Sequence, residues 1–325
     1  MSILDAAVHV GVETTYGTPV TPTRSFEAKA DSFKREQAQI ESVGFRASMH
    51  TVRSDRRRQI NMGGSGTLEL DVLNKGMGLL LQGLLSSTTG PTLVGTSAYT
   101  QQHDSGSTLS GKSFTIQFVR DVVDGSTQAF THHGCVATGW SISQGTDGFL
   151  EMSIDFDFED VDTATAAATP AYPASATGFD WTQAVVTLNS VAFADARSFE
   201  LTADLGVKTD RRYLRGSALK KQPRRSGVPS YTGTIEADFT STTEYDAFVA
   251  GTVMPLNVKW SHAANAIETG HTFEFEVDIA AIQFDGESPE ASLSDITTQR
   301  LPFKVLHDGT NPAVSLKVKS TDSSL

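Results

Sequence analysis

Gly66-Thr67-Leu68-Glu69-Leu70-Asp71 is the stretch on which the fold turns, because it returns later as Gly233-Thr234-Ile235-Glu236-Ala237-Asp238. In the first copy Leu68 and Leu70 alternate with Thr67, Glu69 and Asp71. In the second, Ile235 and Ala237 alternate with Thr234, Glu236 and Asp238. A period of two puts apolar side chains on one face of a strand and polar ones on the other, as in antiparallel sheets with one wet face. Working outward, Arg24-Ser25-Phe26-Glu27 recurs as Arg197-Ser198-Phe199-Glu200 upstream. Downstream of each Gly-Thr strand comes a helical pattern, residues 73–85 and 242–251. Phe114-Thr115-Ile116-Gln117-Phe118 then matches Leu256-Asn257-Val258-Lys259-Trp260, and Ala137-Thr138-Gly139-Trp140-Ser141-Ile142 matches Ile279-Ala280-Ala281-Ile282-Gln283-Phe284. A Thr/Ser/Gly-rich insertion over residues 86–110, present only in the first copy, accounts for the shorter spacing of the later blocks. Similar blocks kept in one order imply a duplicated unit.

Residues 162–174, Asp-Thr-Ala-Thr-Ala-Ala-Ala-Thr-Pro-Ala-Tyr-Pro-Ala, are low in complexity and broken by Pro170 and Pro173. Proline lacks an amide donor and fixes φ, so this stretch reads as a linker. Two tandem domains follow, residues 1–174 and 175–325. The expected fold is mainly β (α+β): each domain a β-sandwich or curled sheet with one flanking helix.

Composition agrees with a strand-rich protein of two domains, with 325 residues, 38% hydrophobic residues and 18 phenylalanines. One cysteine, Cys135, excludes an intrachain disulfide and suits a reducing compartment. Met1-Ser2-Ile3-Leu4-Asp5 has neither the basic nor the apolar region of a signal peptide, and no apolar run reaches about 20 residues, so neither export nor a membrane span is expected.

The net charge of −12 is unevenly placed. Residues 24–58 and 197–225 together hold 18 of the 26 basic residues and only 8 of the 38 acidic ones. The basic clusters are Arg53, Arg56, Arg57 and Arg58 in the first copy, and Arg211, Arg212, Arg215, Lys220, Lys221, Arg224 and Arg225 in the second. Both lie between the first strand and the Gly-Thr strand and read as long loops. Such a loop is a solvated arm, a nucleic-acid contact or a docking element for an acidic surface of another copy. Tyr213 is the one aromatic residue among these clustered bases and the remainder of the chain is acidic, which favours docking between copies.

Catalytic and metal motifs are not found. His132 and His133 point to opposite faces of a strand, and no second ligand cluster accompanies Cys135. Gly63-Gly64-Ser65-Gly66 lacks the Lys-Ser/Thr ending of a phosphate loop. Asp155, Asp157, Glu159, Asp160 and Asp162 do not have the spacing of a calcium loop, and Asp155, Asp157 and Glu159 alternate with Phe156 and Phe158. No catalytic residue, cofactor or metal is expected, and the chain reads as a structural protein and not an enzyme. Trp140, Trp181 and Trp260 stand in strand-like apolar settings, which disfavours a carbohydrate-binding sandwich.

The opening Gly11-Val12-Glu13-Thr14-Thr15-Tyr16-Gly17-Thr18-Pro19-Val20-Thr21-Pro22-Thr23-Arg24 resembles the start of the tail tube proteins of long-tailed bacteriophages, where a GxExTYGTPVxPTR stretch leads into the first strand. Gly134 to Ile142 and Phe149-Leu150-Glu151 resemble the family's penultimate strands. The resemblance implies a virion tail subunit, made in the host cytoplasm, whose domains close into a β-barrel ring. Stacked rings would form a tube with other tail proteins and pass viral DNA without specific binding. Under it the basic clusters become inter-ring contacts, while Glu69, Asp71, Glu236 and Asp238 become candidates for the lumen, with the tube exterior as the other possibility. Three chains per ring are expected from the duplication, against six if the second copy decorates the outside. A head–tail joining or tail terminator ring is the alternative virion part.

Overall fold

Alternation of polarity makes strands along most of the chain, and the computed structural model describes them over residues 6–44, 46–109, 112–286, 288 and 296–325. The first half carries β1 (Ala7–Val12), β2 (Arg24–Phe26), β3 (Ala28–Asp31), β4 (Lys34–Glu41), β5 (Arg57–Asp71), α1 (Gly78–Leu84), β6 (Ser87–Leu93), β7 (Tyr99–Asp104), β8 (Phe114–Asp121), β9 (Thr127–Gln144), β10 (Glu151–Phe158) and β11 (Asp160–Asp162). The second carries β12 (Ala184–Leu188), β13 (Val191–Ala192), β14 (Ala196–Asp204), β15 (Val207–Lys208), β16 (Arg224–Arg225), β17 (Ser230–Asp238), α2 (Thr243–Ala250), β18 (Val253–Glu268), β19 (His271–Phe284), β20 (Thr298–Val305) and β21 (Ser315–Ser320). Among the described residues all the strand pairs are antiparallel, and the chain is mainly β with two short α-helices.

In the first half, one layer runs β2–β1–β8–β9–β11. The other runs from β3 and β4 through β5 and β10 back to β9. The long β9 thus serves both layers. Between them lie Val10, Phe33, Leu68, Phe114, Ile116, Trp140, Ile154 and Phe156, all buried. Phe33 meets Phe118 and Phe156 at ring centroid distances of 4.7 and 6.0 Å. The same pairings recur in the second half. There β13–β12–β18–β19–β21 makes one layer and β14–β17–β20–β19 the other. The glycines of the Gly-Thr strands make room for rings: a Cβ on Gly233 would sit 2.3 Å from Cζ of Phe303, and one on Gly64 2.2 Å from Cζ of Phe158.

The helices differ. α1 is buried at six positions, Gly78, Leu79, Leu80, Leu81, Gly83 and Leu84, whereas α2 buries none. α2 has Glu244 and Asp246 in its first turn, where carboxylates complement the helix dipole, and ends at Gly251 with φ 62°. The first helix is shorter than its apolar pattern, because Leu73 is drawn into a β-bridge with Gly178.

Residues 87–104 of the insertion form the β6–β7 hairpin, and β7 pairs with β21 from Tyr99–Ser320 to Asp104–Ser315. Glu268 in the second half accepts hydrogen bonds from the amides of Thr96 and Ser97, 2.8 and 3.4 Å. The proline-broken stretch after β11 is a strap over the outer face of the first layer. Gln117 donates to the carbonyl of Ala166 (3.0 Å) and accepts from the amide of Ala168 (2.7 Å). Ser25 Oγ, bonded to His9 Nδ1 at 2.7 Å, accepts from the amide of Ala171, also at 2.7 Å. This cover explains why Phe114 to Val119 of β8 are buried without alternation.

His103 on β7 is fully buried, with Nδ1 2.9 Å from the Thr88 hydroxyl. Burial lowers its pKa from 6.5 to about 4. The unfolded chain therefore binds a proton at His103 before the folded one does, and stability falls as pH drops from about 6.5 towards 4, by up to about 1.4 kcal/mol per pH unit. His103→Gln is expected to flatten that part of the stability profile in urea titrations at pH 7, 6 and 5; an unchanged slope would refute the assignment.

Candidate assembly interface

The second layers of the two halves are continuous. Gly139–Gln144 of β9 pairs with Phe199–Asp204 of β14, so one sheet runs β4–β5–β10–β9–β14–β17–β20–β19. Its inner face is apolar and buried through Leu68, Leu70, Met152, Ile154, Ile142, Leu201, Ile235 and Leu301. Its outer face is solvated. On it the structure gathers the four carboxylates singled out by the strand pattern, Glu69, Asp71, Glu236 and Asp238, with Glu151, Asp155, Glu200 and Asp204. One cross-strand row reads Asp71, Glu151, Ser143, Glu200, Thr234 and Pro302.

Asp71 and Glu151 face each other directly, an arrangement that is unfavourable alone. Lys29 resolves it, with Nζ 2.8 Å from Asp71 and a second ion pair to Glu151. The Asp71 and Glu151 carboxylates together raise the Lys29 pKa. Arg197 pairs with Asp238, and Arg300 stands opposite Glu236. Glu69, Glu200 and Asp204 are exposed, so the face remains predominantly acidic.

The two basic loops take different structures. In the first half the loop is the tip of the β4–β5 hairpin, and Arg57 and Arg58 lie in β5 itself and not in a loop. Arg53 binds Asp55 through Nε and Nη2 at 2.7 and 2.6 Å, and Arg57 reaches Glu41 at 3.4 Å. Arg56, Arg57 and Arg58 are exposed.

In the second half the loop folds on itself and onto the first half. Arg211, Arg212 and Arg215 donate to the carbonyls of Gln222, Ala218 and Leu219. Lys221 lies 5.3 Å from the centre of the Tyr213 ring, and Arg225 binds the carbonyls of Leu205 and Gly106. Arg224 pairs in the short β15–β16 ladder. The amide of Met62 donates to the carbonyl of Ala218 across the halves, 3.1 Å.

Lys220 corrects the sequence expectation. Its ammonium forms a buried ion pair with Asp157 of β10, the two residues being 4% and 7% exposed. It therefore joins the halves of one chain and is not available at an inter-ring surface. Burial raises the Asp157 pKa to about 6, against the pull of the Lys220 charge. Nothing in the strand pattern announced this pair, since Asp157 alternates with Phe156 and Phe158 like a solvated residue.

The opening stretch Gly11–Arg24 has a buried centre. Glu13, 3% exposed, accepts from the amides of Gly17 (3.0 Å) and Gly134 (2.8 Å) and from the Thr115 hydroxyl (3.1 Å). Its carboxylate thereby ties the segment before β2 to β8 and β9. Trp181, in contrast to its expected apolar setting, is 48% exposed in a short 3-10 turn. Among the described residues no cluster of metal-ligating side chains is found, and no helix is long and apolar enough to cross a membrane.

What these features define is a structural β protein with sheet edges and charged surfaces suited to packing against other chains. The sequence model of the family described as phage tail tube protein matches residues 4–305, and the chain belongs to that family. Membership makes it a structural protein of the virion tail that assembles with copies of itself and with other tail proteins. A search of curated proteins finds no match.

Removing one member of a buried ion pair leaves an uncompensated charge, at a cost of about 3–5 kcal/mol, whereas removing both is far milder. Lys220→Met is accordingly expected to lower the denaturant midpoint strongly, and Asp157→Leu in the same chain to restore most of the loss. Strictly additive effects of the two substitutions would show that the pair is not coupled.

Proposed function

We propose that the chain is the major subunit of a phage tail tube, two tandem tube units in one polypeptide, residues 1–174 and 175–325, with three chains per ring. The observation that carries this reading is the β9–β14 ladder, which joins the halves edge to edge in one sheet. By the equivalence of the pairings, the outer edge of β3 and β4 corresponds to the edge of β14 that takes β9. Each half gives four strands to the shared sheet. Three chains then supply about 24 strands, which at about 4.8 Å spacing and a tilt of about 40° close at a diameter of roughly 48 Å. A DNA duplex passes through that bore. A closed cyclic ring with head-to-tail contacts needs nothing further, and tethered units meet at high effective concentration.

The acidic sheet face is assigned to the lumen. DNA is held by lysine and arginine through counterion release, so a wall dominated by Glu69, Glu200, Asp204 and Glu236 repels the passing duplex and leaves it free to slide. The hairpin tip with Arg53, Arg56, Arg57 and Arg58 is assigned to ring stacking, against acidic residues of the next ring. In the second loop Arg211, Arg212, Arg215, Lys221, Arg224 and Arg225 stand as further inter-ring candidates, with Lys220 removed from the set. Assembly in the host cytoplasm and incorporation into the virion tail complete the reading.

Two experiments test it. Exposed ion pairs are worth about 0.2–1 kcal/mol each, so Arg56, Arg57 and Arg58 must be changed together. Arg56→Glu/Arg57→Glu/Arg58→Glu is expected to keep the fold, by circular dichroism, and to abolish tubes in electron micrographs. Tubes formed as well as by the parent chain would remove the stacking role. Cryo-electron microscopy of the tube is expected to show three-fold rings with pseudo-six-fold walls; six chains per ring would overturn the tandem arrangement.

A further inference from the structure

The strand directions put both basic loops at one end of the continuous sheet. β5 runs from the hairpin tip at Arg57 to Asp71, which faces Glu151 at the start of β10. Across the junction Gln144 pairs with Phe199 near the start of β14, and β14 ends at Asp204, where the second loop departs. That loop lies across the junction of the halves. Lys220 pairs with Asp157 of β10, and the carbonyl of Ala218 accepts from the amide of Met62 (3.1 Å). At its tip, Tyr213-Leu214-Arg215, Leu214 is fully exposed, more so than any other large apolar side chain among the described residues. The base of the tip is fixed. Arg211 and Lys221 lie 5.9 and 5.3 Å from the centre of the Tyr213 ring, and Arg215 donates to the carbonyls of Leu219 (2.9 Å) and Lys220 (3.2 Å).

The opposite end of the same junction holds a cleft of about 340 Å³, lined by Gln144 of the first half and by Trp181, Val186, Phe199 and Trp260 of the second. Phe199 and Trp260 are buried and make an apolar floor, with Trp260 Nε1 donating to Gln144 Oε1 at 3.2 Å. Trp181 remains half exposed. Its segment is anchored on the first half by residues 177–180: the amide of Leu150 donates to the carbonyl of Phe179 (2.8 Å), and that of Phe179 to the carbonyl of Val72 (3.1 Å). In the first half the corresponding place is closed. Val8 and Ala184 stand at equivalent places, opposite Phe118 and Trp260, and β2 runs along β1 from Val8–Phe26 to Val10–Arg24, burying Phe26. β13 meets β12 at Thr187 and Leu188, after which the chain crosses to β14, so among the described residues no strand covers that edge at Ala184.

The two ends carry opposite charge. Beside the cleft-lining residues stand Asp147, Asp180 and Asp195, with Asp147 and Asp195 exposed, and Glu244 and Asp246 open α2 just beyond β17. Lys29 and Arg197 at this end are already paired, with Asp71 and Glu151 and with Asp238. At the loop end Lys221 and Arg224 are exposed. The cleft lies at the lower end of the size range of small-molecule sites, about 300–1,000 Å³, so it takes a side chain or two and not a folded segment.

We propose that the second-loop tip of one copy seats in the junction cleft of the next copy along the tube, with Leu214 packed against Trp181 over Phe199 and Trp260, a contact that rests on the reading of the chain as a subunit of stacked rings. The lysine and arginine side chains of the loop then face Asp147, Asp180 and Asp195. Loop and cleft occupy the two ends of one junction, so a head-to-tail step along the tube axis brings one onto the other at every level. The charges steer and orient the approach and are screened by salt, whereas the apolar contact at their centre is not.

The test uses the full chain. Trp140 and Trp260 are buried, so acrylamide quenching of tryptophan fluorescence reads Trp181. It is expected to be quenched in the monomer and to lose most of that quenching in tubes. Leu214→Asp is expected to keep the circular dichroism spectrum and the denaturant midpoint, because Leu214 is fully exposed, and to lose tube formation, whereas Leu214→Met assembles like the parent. Independently, Leu214→Cys/Ala194→Cys, oxidised after assembly, is expected to give a ladder of covalently linked chains on non-reducing gels, with Cys135 buried out of reach. The two positions lie beyond opposite ends of β14, nine residues or about 30 Å at about 3.3 Å per residue, too far for a disulfide within one chain. Tubes in which Trp181 is quenched as in the monomer, tubes formed equally well by Leu214→Asp, or intact tubes without the cross-link each overturn the contact and leave the tube reading standing. Failure of the parent chain to assemble at all would instead remove the tube reading, and the contact with it.

Discussion

Everything distinctive about this protein depends on where its sheets are allowed to end. A strand at an edge presents a row of unpaired amides and carbonyls, and chains normally cover or blunt such rows. Here one edge is met inside the chain, where β14 takes the outer side of β9. That ladder fixes the relative position of the halves more firmly than any linker could, because a slip of one residue would turn Phe199 and Leu201 outward. The β7–β21 ladder and the seat of residues 177–180 brace the same junction from other sides. At the other end of the sheet, β4 carries Lys34, Arg35, Glu36 and Glu41, a mixture of charges that resists pairing with an arbitrary strand.

The two halves share a plan and divide the work. The second basic loop folds on itself, with the guanidinium groups of Arg211, Arg212 and Arg215 bonded to loop carbonyls and Lys220 paired with Asp157. The first loop projects, with Arg56, Arg57 and Arg58 in solvent. A buried ion pair contributes little net stability over an apolar contact, but breaking it is expensive, so its effect is to specify geometry. The insertion has a similar one-sided role. Its hairpin accompanies a largely buried α1, while α2, without a counterpart, stays at the surface.

The fold was readable because burial imposes a period on the residues that undergo it. The alternation of Leu68, Leu70, Ile235 and Ala237 placed their strands. The carboxylates Glu69, Asp71, Glu236 and Asp238 could be put on one side of their strands, and the structure puts them on one face of one sheet. Alternation says which way a side chain points and nothing about which strand lies alongside, so the β9–β14 ladder was not visible. Nor was the fate of Lys220, which depends on a contact 63 residues away. Trp181 misled for a related reason: an aromatic near a strand start is equally compatible with core and surface. Glu13 is the instructive case in the other direction, since its place in a recognisable stretch gains a cause from the three donors that surround it.

The β7–β21 ladder also sets an order of events during synthesis. Its two strands are roughly two hundred residues apart, so the first half emerges from the ribosome with the outer side of β7 still waiting for its partner. Until β21 arrives, the outer side of β7 has no strand beside it, and residues 177–180 reach their place only after the first half has been made. A nascent chain is thus held in an incomplete state until nearly all of it has been translated. For a protein that assembles with copies of itself, that delay separates the time of making from the time of polymerising.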